Sequence, residues 1–195
     1  MTVEAVRPGP VQPTPATAEP VLGLPVWPAE PEPVDASGTS YLVVALGTAP
    51  RTATVAADWV RAAEGRAPTR LVVADDLDAG RSDLEAALTA ARTGVRIMLV
   101  GGQCDVLLGL ALARAYGAGE AELRSFAVDG AAAAAGEATD LPVYCAHCRD
   151  THRVHAPYGG EATCPGCARH LEIHHHLSAS RGSFLASDAR ARDLA

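Results

Sequence analysis

Between residues 40 and 128, short apolar runs alternate with longer segments whose apolar residues recur at helical spacing. Short continuous apolar runs are typical of strands that are buried on both faces. They predict strands at 41–46, 70–74, 96–100 and 123–128. The segments between them predict helices at 54–63, 82–92 and 105–116. This alternation predicts an α/β domain over residues 40–130, with a small parallel sheet and helices on both faces.

One helix start has a recognisable capping signal. Ser82 precedes an amphipathic stretch and Glu85 follows three residues later, which is the spacing of a capping box. We therefore expect the second helix to begin with Ser82 as its N-cap.

The flanking segments lack this periodicity. Residues 1–36 hold most of the prolines, and each proline fixes φ and removes a hydrogen-bond donor. They predict a disordered or extended arm with one apolar island at 21–27, which is either a free tail or a partner contact. Residues 131–140 predict an alanine- and glycine-rich linker and residues 178–195 a polar tail, on either side of a cysteine module at 141–177.

Composition narrows the class of protein. The net charge is −7 and the pI is about 5.4, which disfavours nucleic acid or an anionic membrane as the partner. No apolar stretch approaches the roughly 18 residues of a membrane span, and no signal peptide is evident. We therefore expect a soluble cytoplasmic protein, a compartment in which paired Cys-x-x-Cys motifs hold metal more often than they form disulfides.

The strongest chemical signal is a pair of such motifs. Cys145-Ala-His-Cys148 and Cys164-Pro-Gly-Cys167 are separated by 15 residues. Two residues between ligands let a tight turn direct both sulfurs at one point, and two such turns complete a tetrahedron. Pro165 and Gly166 have the composition of a turn. The sequence predicts one metal ion held by the four thiolates.

The identity of the metal stays open between zinc and a rubredoxin-like single iron. Rubredoxin knuckles usually place a glycine after the second cysteine, whereas Arg149 and Ala168 stand there in this chain. We therefore favour structural zinc, because a closed four-cysteine site leaves no coordination position for chemistry.

The remaining cysteine and the histidines have weaker signals. Cys104 is expected to be a small packed residue, because no histidine lies in its half of the chain to activate it. His147 lies inside a knuckle, but four cysteines already satisfy the site. The run 174–176 continues a predicted strand at 171–177, so His174 and His176 share a face. That face is either a polar contact surface or a second metal- or haem-contacting patch.

The ribbon from Val143-Tyr-Cys-Ala-His-Cys148 through Cys164-Pro-Gly-Cys-Ala-Arg169 resembles the C-terminal domain of DmmA-type subunits of dimethylamine monooxygenase. The resemblance implies a hetero-oligomeric enzyme that uses NADPH and O2 to demethylate dimethylamine to methylamine and formaldehyde. It also implies that NADPH, haem, FMN and a [2Fe–2S] cluster are bound by partner subunits. No acid/base pair or activated nucleophile is apparent in the sequence, so we expect a non-catalytic subunit.

The preceding half resembles a shortened nicotinamide-binding domain of ferredoxin reductases. Ala45-Leu-Gly-Thr-Ala-Pro50 resembles their phosphate loop, and the run from Arg96 to Gly102 resembles a later strand with its turn. Leu46 and Ala49 replace glycines that let a backbone approach phosphate. We therefore expect a degenerate scaffold without a nucleotide at the candidate loop residues, which are Gly47, Thr48, Gly101 and Gly102.

Two further hypotheses remain beside the non-catalytic subunit. One is a rubredoxin-like electron-transfer protein between reductase and oxygenase, and the other is a zinc-ribbon adaptor between proteins. The sequence does not specify the amine substrate, the subunit stoichiometry or the role of the arm.

Overall fold

The computed structural model describes residues 23–194, which form two sheets connected through one helix. The first half contains β1 (Ser40–Leu46), α1 (Pro50–Glu64), β2 (Thr69–Ala74), α2 (Leu77–Ala90), β3 (Val95–Gly101), α3 (Gln103–Ala115), a 3₁₀ turn (Glu120–Glu122), β4 (Leu123–Ala127) and α4 (Gly130–Ala134). The second half contains β5 (Thr139–Cys145), β6 (Asp150–Ala156), β7 (Glu161–Thr163), β8 (His170–Ser178), β9 (Ser183–Asp188) and a 3₁₀ segment (Ala189–Leu194).

The first sheet is parallel, with the strand order β2-β1-β3-β4. Val43 and Ala45 of β1 pack with Trp59 of α1 on one face. On the other face, Leu42 and Val44 pack with residues of α2 and α3. Helices on both faces bury the central strands completely, which explains their continuous apolar runs. The predicted α/β class is confirmed.

The second helix begins earlier than its capping signal predicts. The Asp76 side chain accepts a hydrogen bond from the Ala79 backbone N–H at 2.8 Å, so Asp76 is the N-cap. Ser82 lies inside α2, and the prediction that it caps the helix is wrong. Leu77 and Gly80 are buried, so the first turn of α2 belongs to the face that packs on the sheet.

The second sheet has the strand order β6-β5-β9-β8-β7. Its central strand β9 pairs in parallel with β5 and antiparallel with β8. β9 lies within 178–195, the segment predicted to be a polar tail. Its Phe184 and Ala186 are buried in the hydrophobic core of the second sheet. Those two apolar residues are too few to reveal a strand, because its stability comes from the partners on both sides. Similarly, α4 and the start of β5 occupy the segment predicted to be a linker.

The described part of the N-terminal arm, residues 23–36, is extended and packed on the rest of the chain, while residues 1–22 of the predicted arm lie outside the described residues. Trp27 contacts both apolar cores, and its ring lies where a side chain on Gly130 would stand. Asp35 pairs with Arg96 at 2.7 Å. The prolines suit this extended conformation, and Trp27 anchors it to this chain.

Helix α3 connects the two halves. Its Leu107 belongs to the core of the second sheet, and a Cβ on Gly182 would lie 2.4 Å from the Leu107 carbonyl oxygen. The fully buried Gln103 donates a hydrogen bond to Thr139 and accepts one from the Tyr158 hydroxyl. The second sheet is therefore held against the first half by packing and by buried hydrogen bonds. Among the residues that the structure describes, no helix has the length and apolar character needed to cross a membrane.

Candidate metal centre

The four knuckle cysteines converge at one end of the second sheet. Cys145 ends β5 and Cys148 lies in the turn before β6, while Cys164 and Cys167 lie between β7 and β8. All four Sγ atoms lie within 4.8 Å of one another. The Cys145–Cys167 and Cys148–Cys164 sulfur pairs are each 3.7 Å apart. A tetrahedral ion with metal–sulfur bonds of about 2.3 Å requires sulfurs about 3.8 Å apart, so this donor set fits a single ion.

Both knuckles have the same backbone conformation. The Arg149 N–H donates to the Cys145 carbonyl at 2.8 Å, and the Ala168 N–H donates to the Cys164 carbonyl at 2.9 Å. Arg149 (φ 61°) and Ala168 (φ 57°) both occupy the left-handed region that glycine adopts at least cost. These are the positions where rubredoxin knuckles carry glycine, so the knuckle geometry forms here without it.

Gly166 lies in the turn of the second knuckle, as predicted, and it also makes room for a neighbouring side chain. It has no left-handed φ, but a Cβ there would lie 2.6 Å from the His152 ring and 3.5 Å from the Cys148 Sγ. Glycine at this position therefore makes room for an imidazole beside the sulfurs.

Backbone amides stabilise negative charge at the sulfurs. Burial raises the pKa of Cys145, but hydrogen bonds from the Cys148 and His147 N–H groups outweigh it and lower the pKa to about 7. Burial and the neighbouring thiols Cys145 and Cys164 raise the pKa of Cys148 to about 12. Four thiols this close cannot all ionise without a cation between them, and a bound metal supplies that cation.

His152 is a site residue that the sequence reasoning missed. Its Nε2 lies 3.2 Å from the Cys148 Sγ. β6 pairs with β5 so that His152 lies opposite Val143, on the same face as Cys145. Side chains alternate between the two faces of a strand, so a hairpin that turns at the first knuckle places His152 on the face of Cys145. This alternation is the sequence signal that would have indicated His152.

The other histidines do not join the cysteine cluster. His147 is exposed, and its side chain is not among the potential ligands. β8 has an irregular register between Ile173 and Leu177, which spans the triple-histidine run. His174 bonds the Ser187 hydroxyl at 3.0 Å, while His175 and His176 are exposed. Within residues 23–194, the four cysteines are the one group of three or more potential ligands close enough to hold an ion.

Cys104 is packed, as expected. It is 1% exposed near the start of α3, and burial raises its pKa to about 12. A thiol in this environment stays protonated and is a poor nucleophile.

The candidate nucleotide loop lies at the carboxyl ends of β1 and β3. Gly47 has φ 111°, and a Cβ on Gly101 would lie 2.2 Å from the Leu46 carbonyl oxygen. The backbone conformation at Gly47 and the close packing at Gly101 therefore explain both glycines without a nucleotide. Gly102 is the N-cap of α3, where the Gln103 N–H donates to the Asp129 carboxylate at 2.8 Å. An acidic side chain thus occupies the N-terminus of α3, whereas α1, which follows the candidate phosphate loop, has no acidic residue in its first turn.

The fold and this cluster define a class: an α/β domain with a parallel sheet that carries a four-cysteine ribbon able to hold a metal ion. Residues 142–186 match the family model of the dimethylamine monooxygenase subunit DmmA-like C-terminal domain. The predicted resemblance of the ribbon is confirmed over those residues.

Comparisons with curated proteins and with solved structures give less information about this chain. No curated protein is significantly similar to the chain. A solved structure of phthalate dioxygenase reductase, described as a modular structure for electron transfer from pyridine nucleotides to [2Fe–2S], shows 15% identity and a TM-score of 0.36. The match covers 64% of this chain and 46% of the reductase. Similarity at this level does not establish a shared function.

Proposed function

We propose that this chain is a non-catalytic, metal-stabilised subunit of a multicomponent oxygenase that demethylates dimethylamine with NADPH and O2. The observation that carries the proposal is the family match over residues 142–186, the segment that contains all four sulfurs. A closed set of four thiolates supports a structural role, because such a site has no free position for substrate. The metal would hold the two knuckles together, and its binding free energy would contribute to folding.

The α/β half supports the non-catalytic assignment. Asp129 bonds the first N–H of α3, and Asp105 lies in the first turn of the same helix. The Asp129 carboxylate disfavours an anion at this helix end, while the Asp105 charge is balanced by the Arg153 guanidinium at 2.6 Å. The family resemblance implies that NADPH, haem, FMN and a [2Fe–2S] cluster belong to partner subunits, in a hetero-oligomer without nucleic acid or membrane.

The test is to isolate the native complex through a tag on this chain, and then to measure dimethylamine-dependent NADPH oxidation. Removal of this chain should abolish the stable, active assembly. Re-addition of the purified chain should restore it. Isolation of the chain as a monomer, with activity unchanged when the chain is omitted, would overturn the proposal.

A second function, electron transfer by a single iron, is favoured by two observations. Cys148 and Cys167 are only half-buried, and both knuckles have the left-handed residue that rubredoxins fill with glycine. Elemental analysis and the visible spectrum of the native complex separate the two functions. One zinc per chain and no absorption assigned to this subunit supports the structural role. One iron, red when oxidised and bleached by a reductant, supports the electron-transfer role.

A further inference from the structure

The two knuckles share a pattern of backbone hydrogen bonds to sulfur. The Cys148 sulfur accepts the Asp150 N–H, and the Cys167 sulfur accepts the Arg169 N–H. In both knuckles the donor lies two residues after the second cysteine, at the point where the next strand begins. The knuckles are therefore equivalent in their backbone contacts to these two sulfurs.

The side chains that lie four residues after these cysteines differ. His152 follows Cys148 at this spacing, and Leu171 follows Cys167. Leu171 is 2% exposed and belongs to the core of the second sheet. His152 is half-buried, and its Nε2 lies 3.2 Å from the Cys148 sulfur. Within the described range 23–194, no other side-chain nitrogen forms a hydrogen bond with a knuckle sulfur.

The position of His152 on β6 is one where packing alone favours an apolar residue. His152 lies opposite Val143 of β5, and Val154 and Ala156 follow on the same face of β6. These three neighbours are buried in the core of the second sheet. A polar ring in such a row requires a hydrogen-bond partner, and the Cys148 sulfur is that partner.

The chemistry of a metal-bound sulfur decides the direction of this hydrogen bond. A thiolate that ligates a metal has no proton, so it can only accept. The hydrogen between His152 and Cys148 must then lie on Nε2. The negative charge of four thiolates exceeds the charge of a divalent or trivalent ion, and an N–H donor stabilises the excess. This argument holds for zinc and for a single iron, because the ligand is a thiolate in both cases.

We propose that His152 is a positioning residue of the metal centre, whose Nε2–H donates a hydrogen bond to the metal-bound Cys148 thiolate. The inference rests on the metal binding in the proposed function and on no other part of it. The donor stabilises Cys148 as a ligand and orients its sulfur toward the ion. Gly166 permits the contact, since a Cβ there would lie 2.6 Å from the ring Nε2. Of the two half-buried ligands, Cys148 is therefore held more strongly than Cys167.

The experiment measures the zinc affinity of the full chain by competition with a chelator of known affinity. The first variant, His152→Leu, removes the donor and keeps a side chain of similar size. The second variant, His152→Gln, keeps an N–H donor, because its amide nitrogen is as many bonds from Cα as the imidazole Nε2. The control is His147→Leu, because His147 is exposed inside the first knuckle and is not among the potential ligands. Circular dichroism verifies that each zinc-loaded variant is folded.

We expect His152→Leu to bind zinc about 10- to 100-fold more weakly than wild type, which is the usual effect of removing a partner of a metal ligand. His152→Gln and His147→Leu should both bind zinc with an affinity close to that of wild type. If His152→Gln loses as much affinity as His152→Leu, the ring only fills space. If His147→Leu loses as much, the effect does not depend on the contact with Cys148. Either result would overturn the proposal.

A second measurement does not depend on variants. A long-range ¹H–¹⁵N spectrum of the ¹⁵N-labelled, zinc-loaded wild-type chain reports which ring nitrogen of His152 has the hydrogen. We expect a protonated Nε2. An unprotonated Nε2 would overturn the proposal, because such a ring cannot donate to Cys148. A chain that binds no zinc overturns the metal centre of the proposed function, whereas zinc binding without the effects at His152 overturns this inference alone.

Discussion

The guanidinium of Arg153 on β6 lies 2.6 Å from the carboxylate of Asp105 in α3, and this ion pair joins the ribbon to the α/β half. The Asp105 side chain is 7% exposed and also accepts the Leu77 N–H at 3.0 Å, so one carboxylate connects α2, α3 and β6. A buried acid with two donors from two other elements fixes their relative positions.

Loss of the Arg153 side chain should weaken the whole molecule. In Arg153→Ala, Asp105 stays buried with one donor fewer, which should lower the free energy of unfolding by about 1–2 kcal/mol. Arg169→Ala is the matched control, since its pair with Asp188 is more exposed and should contribute about 0–1 kcal/mol. Chemical denaturation measures both changes. Equal effects in the two variants would contradict a special role for the buried pair.

Removal of one metal ligand should unfold the ribbon selectively. In Cys145→Ser or Cys164→Ser we expect loss of the metal and of amide protection in β5–β9, because metal binding contributes to folding. The first sheet should keep its protection, since its own helices cover both faces. Hydrogen exchange and elemental analysis measure this. Cys104→Ala is the control and should retain the metal.

If the entire chain unfolds in the Cys145→Ser or Cys164→Ser variant, the first sheet and the ribbon unfold together. The buried bonds of Gln103 to Tyr158 and Thr139 would then make the two halves a single cooperative unit.

Glycine at a left-handed knuckle position should stabilise the site. Ala168 has φ 57°, and a Cβ in this region costs about 1–2 kcal/mol. Part of this gain is offset because glycine is more flexible when unfolded, so Ala168→Gly should raise stability by up to about 1 kcal/mol. The measurement is denaturation of the metal-loaded protein. Ala146→Gly, at a position without positive φ, should bring no gain, and a gain of the same size there would refute the explanation.

The pair of Asp35 and Arg96 should give a pH-dependent contribution to stability. The Ser37 N–H and then Arg96 hold the pKa of the Asp35 carboxyl well below its usual range. A lowered folded-state pKa stabilises the protein above the unfolded pKa of about 3.9, and this stability is lost as pH falls through the folded-state pKa. Asp35→Asn should therefore destabilise the protein at pH 7, and the difference from wild type should shrink in acid.

Denaturation curves at neutral and acidic pH provide the measurement. Glu30→Gln serves as the control, because Glu30 pairs with Arg51 on the exposed surface and should matter little at either pH. A destabilisation by Asp35→Asn that does not change with pH would contradict the assigned cause.

The sequence by itself determined those features that depend on local spacing. Apolar runs at β1 and β3 indicated buried parallel strands, because a strand covered on both faces has no polar alternation. The run at β2 forms a strand at the edge of the sheet instead, where Leu71 and Val73 are exposed. The two Cys-x-x-Cys motifs indicated one four-sulfur cluster, because a tight turn brings both of its sulfurs to the same side. The resemblance of the ribbon rested on the same short motifs, and the family match covers them.

Only the tertiary structure decided the features that depend on distant neighbours. Phe184 is buried because β5 and β8 flank its strand, although the sequence predicted a polar tail there. His152 reaches Cys148 because Gly166, from the other knuckle, leaves space for its ring. Trp27 packs on its own chain because both cores leave a surface that fits it. Each of these contacts joins residues from separate elements, and neither residue type nor local periodicity specifies where such a partner lies.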